Sequence, residues 1–141
     1  MKTRIVLVAV LILSVITSAV SQRTVKTFAS KEVRLEAAKN NVMVGLRSEN
    51  NGVVEAAIMF TAKLKMIEPE SDISKLQSAL DHISISHPSP AIRYKASIAS
   101  HICSDPNWFM YNNRLVTSET DQFFPIAAER LQQKMFGLNT L

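Results

Sequence analysis

From Ser30 onward, apolar residues return every three to four positions, the spacing of amphipathic helices. The first helix is predicted from Ser30, a good N-cap, to about Arg47. Its apolar face is Leu35, Ala38, Val42 and Leu46, flanked by Val33, Ala37 and Val44. Ser48–Glu49–Asn50–Asn51–Gly52 reads as a turn. A second helix follows from about Gly52 to Ile67. Val54, Ala57, Ile58, Thr61 and Leu64 share its inner face, Val53 and Phe60 lie beside it, and Glu55, Lys63 and Lys65 point to water.

Glu68–Pro69–Glu70–Ser71 breaks the pattern, since a proline cannot continue a helix. The third helix is predicted over Asp72 to Ser86, with Leu76, Leu80 and Ile83 inward, Ala79 beside them, and an acidic first turn that suits the helix dipole. After His87–Pro88–Ser89, a fourth helix runs from Pro90 to Cys103, with Ile92, Ala96, Ala99 and Cys103 in register at steps of four, three and four. Residues 106–117 fit no period. Trp108, Phe109, Met110 and Tyr111 are bulky and adjacent, and the expectation is a short helical turn that packs Trp108 on the helices. A last helix starts between Ser118 and Phe124 and runs to Phe136. Its stripe is Phe124, Ala128, Leu131 and Met135, Pro125 sits in its first turn or kinks it, and Gly137–Leu138 forms a Schellman cap.

Two of these turns share a layout. Glu49–Asn50–Asn51–Gly52–Val53–Val54–Glu55–Ala56–Ala57–Ile58 aligns with His87–Pro88–Ser89–Pro90–Ala91–Ile92–Arg93–Tyr94–Lys95–Ala96 at an offset of 38 residues. Pairs of helices at a period near 40 mark solenoids, in which each hairpin buries its open face on the next. The second copy resembles the HEAT repeat. Its Pro88–Ser89–Pro90–Ala91–Ile92–Arg93 is similar to that family's turn and Val-Arg pair, and Ala96 stands at its small inward position. The first copy departs from it at Glu55 and Ile58, and neither copy has the family's first-helix proline. The resemblance covers roughly residues 30–103. It implies a protein-binding or scaffolding surface without catalysis, with Arg93 near the surface between units, bonded to an acid or to helix carbonyls, and Ile92 and Ala96 buried. The predicted fold is all-α: a short stack of antiparallel hairpins, about five helices, the last able to cap the stack. A plain helical bundle is the alternative.

The N-terminus carries a different pattern. Lys2 and Arg4 precede the apolar run Ile5–Leu13, and small residues stand at Ala19 and Ser21. Basic, apolar and small, in that order, predict a secretory signal peptide over residues 1–21. Residues 22–29 read as a linker and residues 30–141 as one domain. The localisation that follows is periplasmic or secreted, with anchoring by residues 5–20 as the alternative. Removing residues 1–21 leaves 120 residues and lowers the net charge from +4 to +2, because Lys2 and Arg4 go with them. So small a charge on an exported chain argues against nucleic acid as a partner. A single cysteine, Cys103, excludes an internal disulfide framework, so the domain relies on its core. Three glycines in the whole chain favour helices over strands.

Candidate chemistry is sparse. His82 and His87 are five residues apart across a helix end, and His101 and Cys103 face different sides of theirs, so no metal site is predicted. Asp81 and His82 are neighbours on a helix and diverge by about 100°. No nucleophile elbow or phosphate-cradling glycine loop occurs, and neither an enzyme, nor a cofactor, nor a small-molecule ligand is expected. Lys26, Lys31, Arg34, Lys39 and Arg47 make the N-terminal third basic, either a solvated face or, if residues 5–20 stay, a face toward anionic lipid. The predicted partner is another protein. Trp108, Phe109, Tyr111 and Arg93 are the candidate contact residues, with core packing the competing role for the aromatic group.

Overall fold

The computed structural model describes residues 30–110 and 114–137. The signal peptide, most of the linker, Tyr111 and the Leu138 side of the C-cap lie outside the described residues. Seven helices are described, and no strand occurs among them: α1 (Lys31–Leu46), α2 (Asn51–Ile67), α3 (Ser74–Ser86), α4 (Pro90–Ser104), α5 (Pro106–Phe109), α6 (Arg114–Thr117) and α7 (Thr120–Met135).

Local sequence sets the boundaries. Asn50 caps α2: its Oδ1 accepts from Gly52 N at 2.8 Å and Val53 N at 3.4 Å. Ser89 caps α4, accepting from Ile92 N at 3.4 Å, and Pro90 fills the first turn, where no backbone donor is needed. The start of α3 corrects the sequence reading. No acidic residue lies in its first turn. Asp72 stays outside the helix, and its Oδ1 accepts from Ser74 N at 2.9 Å. That bond draws the Asp72 carboxyl below its ordinary range and supplies the anionic cap in a turn instead of a helix.

Helices α1 and α2 form one antiparallel hairpin. Lys31 pairs with Glu68 at 2.8 Å at one end, and Gly45 meets Ala57 at the other. Helices α3 and α4 form the second. Their packing includes Ser100 Oγ donating to Asp81 Oδ1 at 2.7 Å and Gln77 Nε2 donating to Ser100 Oγ at 2.6 Å. The hairpins stack with α2 on α4 and α1 beside α3. A third layer, α5 to α7, lies across α2 and α4. The final helix therefore does not cap the end of the stack as expected; it covers the inner helices.

That third layer explains where the core departs from the pattern. Helix α2 is buried along more than one face. Met59, Ala62 and Met66 join Val54, Ala57, Ile58 and Thr61 in the interior, because the helix has neighbours on both sides. The buried Thr61 hydroxyl donates to Ala57 O at 2.9 Å, so its burial leaves no unmet donor. Glu55, Lys63 and Lys65 are half-buried and do not simply face water. Glu55 pairs with Lys95 at 2.6 Å, Lys63 donates to Ser118 O, and Lys65 donates to Pro69 O and to Ser71 O. Lys63 and Lys95 also lie over the Phe123 and Phe124 rings, at 5.7 and 5.2 Å.

The stripe of α7 is corrected as well. Phe123, Phe124 and Ala127 are buried and Ala128 and Leu131 partly so, while Met135 is 72% exposed. Only the first half of α7 docks, through the edge-to-face pair Phe123–Phe124 at 5.1 Å. Its far end is tied by Lys134 to Asp105 at 2.7 Å. Pro125 lies inside the helix on an exposed position, and Gly137 closes it with φ of 64°. On α1, Leu46 is buried and Leu35, Ala38, Val42 and Met43 are half-buried. Val33, Ala37 and Val44 are exposed, so the expected flanks lie outside the core.

Candidate functional site

The residues singled out in the sequence do not converge. Phe109 is 2% exposed and belongs to the core, which removes it from the contact candidates. Trp108 is half-buried against the same core, so α5 docks mainly through Phe109 and not through Trp108 as expected. Its Nε1 has no hydrogen-bond partner among the described residues. Arg93 is half-buried, and its Nη1 donates to His87 O at 2.6 Å and Pro88 O at 3.1 Å. It closes the α3–α4 turn through backbone carbonyls, next to the buried Ile92 and Ala96.

His82 and His101 are exposed. His87 is half-buried, with Nδ1 accepting from Ser89 N at 3.1 Å. Among the described residues no group of three histidines, cysteines or carboxylates is placed to hold a metal. Asp81 serves Ser100 and Gln77, a network that pins α3 to α4. Cys103 is buried and free, and burial pushes its thiol up to about 12. The thiolate needed for nucleophilic or redox chemistry is therefore scarce at neutral pH.

The concave surface lies elsewhere, between the outer helices α1 and α3. An open groove of about 540 Å³ has an apolar floor of Met43, Leu46, Ala79 and Ile83 and a rim of Arg47, Lys75, Ser78 and His82. A smaller hollow of about 240 Å³ adjoins it and shares Met43 and Lys75. Helical spacing explains the set. Lys75, Ala79 and His82 fall at steps of four and three on the face of α3 turned toward α1. Met43 and Arg47 are four apart, and Leu46 lies between them at the end of α1.

No carboxylate lines the larger groove. Neither Arg47 nor Lys75 has a salt-bridge partner among the described residues. In the smaller hollow charge is internally matched: Lys39 pairs with Glu36 and donates to Asp72 O at 3.1 Å. The groove thus presents uncompensated positive charge over an apolar floor, suited to an acidic segment with an apolar face. The sequence singles out Arg47 and His82 for other reasons and gives Met43 and Lys75 no role. The signal available was the step of seven from Lys75 to His82 on a helix whose opposite face is core.

No protein family, curated protein or solved structure matches the chain. Among the described residues no helix is long and apolar enough to cross a membrane.

Proposed function

We propose that this chain is an exported, non-enzymatic interaction module that holds an acidic, apolar-faced segment of a partner protein in the α1–α3 groove. The observation that carries the reading is the groove itself. The third layer covers α2 and α4, and the cation-rimmed, apolar-floored cleft on the outer side stays open. Export rests on the order of basic, apolar and small residues over positions 1–21. The two hairpins, with α1 and α3 outside and α2 and α4 inside, are read as two degenerate HEAT-like units on the strength of the 38-residue offset.

The test is a photo-crosslinking residue at Ala79 in the producing cell, with one at the exposed Glu129 of α7 as control. The expected result is one discrete adduct from position 79, none from 129, and loss of the adduct in Arg47→Glu/Lys75→Glu. Absence of an adduct, or an adduct indifferent to charge reversal, refutes the groove. Mass spectrometry of the mature chain should find Gln22 first. A chain that retains residues 5–20 would instead favour a membrane-tethered helper.

A further inference from the structure

The outward side of the first hairpin carries a feature the groove does not use. Val53, Phe60 and Ile67 are 45%, 53% and 55% exposed. They stand seven residues apart on α2, so they form one straight apolar stripe about 21 Å long. Ala56, small and half-buried, lies within it. At the Val53 end the stripe is widened by α1: the approach of Gly45 to Val53 places Val44, 72% exposed, beside it.

Lys63 is the cation nearest the stripe, and its ammonium is turned away to Ser118 O and the Phe123 ring. The opposite side of the same hairpin is buried on α3 and α4. A stack of hairpins ordinarily ends in a polar outer face, because an apolar one invites further stacking. This end is apolar.

We infer that the stripe is a self-association surface and that two copies pair through α2 across a two-fold axis at Phe60. The pattern is symmetric about that residue. In an antiparallel pairing Val53 meets Ile67 of the second copy, Ile67 meets its Val53, and the two Phe60 rings meet at the axis. A two-fold interface requires such a self-complementary patch. Area agrees. At about half exposure the four side chains offer roughly 400 Å² of apolar surface per copy, and with the usual polar rim the footprint approaches the roughly 800 Å² per partner of a standard interface. Helices α1 and α3 keep their groove open in such a dimer, so each pair presents two copies of it.

Sedimentation equilibrium on the protein as the cell processes it should give a dimer. Phe60→Lys should weaken it by about 30-fold or more, the loss carried by a central aromatic anchor. Because Phe60 is half-exposed, the circular dichroism and melting curve of that variant should stay native. Val53→Lys and Ile67→Glu should each be largely monomeric and should form a dimer again when mixed. In a Cys103→Ala background, Phe60→Cys should oxidise to a covalent dimer. A strict monomer at about 100 μM, where a micromolar interface would be filled, overturns the proposal. So does a dimer that Phe60→Lys leaves intact, or a monomeric Phe60→Cys variant whose new thiol is shielded from maleimide by residues that precede Ser30.

Discussion

The closest approach of the first two helices is the sharpest place to probe this fold. A methyl group added at Gly45 would sit 2.8 Å from Ala57 Cβ, well inside ordinary carbon–carbon contact. Helix α1 must then retreat by about half an ångström, or α2 must yield. Two terms compete in Gly45→Ala. Helix propensity gains up to about 1 kcal/mol, less here because Gly45 lies in the last turn. Overpacking between two helix backbones costs about 1–3 kcal/mol. The clash should win, for a net loss of about 1 kcal/mol.

Ala57→Gly removes a buried methyl, worth about 0.8 kcal/mol, and costs about 1 kcal/mol more in propensity. The double variant moves the methyl from α2 to α1 and relieves the clash. It should be less destabilised than the two single changes together by about 1–3 kcal/mol. Urea unfolding of all four proteins by far-UV circular dichroism measures that coupling. If Gly45→Ala stabilises the protein and the coupling is zero, the helices do not meet at this point and the α1–α2 register is wrong.

Three further outcomes follow from the packing. Ala96 is fully buried on α4, so Ala96→Leu should cost about 1–3 kcal/mol in the same assay, and a neutral result would mean the inner face of α4 is misassigned. Pro125 interrupts α7 at an exposed position, so Pro125→Ala should raise stability by about 1–3 kcal/mol through the restored backbone bond and better propensity. The Cys103 thiol ionises near pH 9 in the unfolded chain and near 12 in the fold, so between those values the unfolded chain holds fewer protons. Stability should therefore fall as pH rises through this window, by up to about 1.4 kcal/mol per pH unit, and Cys103→Ala should flatten that part of the slope. Charge reversal at Lys75 separates the groove from the fold. Lys75 is exposed and has no ion pair among the described residues, so Lys75→Glu should leave the melting curve unchanged while it weakens capture of an acidic partner.

Local signals determined most of the element boundaries. Asn50 and Ser89 accept the first free N–H groups of α2 and α4, and Pro90 and Gly137 take backbone states their chemistry favours, so these ends were legible. The inner faces of α3 and α4 were legible for the same kind of reason: each is buried mainly on one side, and Leu76, Leu80, Ile83, Ile92, Ala96 and Ala99 follow one helical period. Tertiary structure alone decided the rest. Helix α2 is a middle layer, and a helix with neighbours on two sides loses the single-face period, which is why Met59, Ala62 and Met66 were not anticipated. Helix α7 docks by half its length, a matter of where α2 and α4 end, so its stripe read from spacing alone included the exposed Met135. The groove depends on α1 and α3, 28 residues apart from Arg47 to Lys75, being brought side by side by the stacking of two hairpins. Spacing along one helix fixes which residues share a face; only the packing of helices fixes which faces meet.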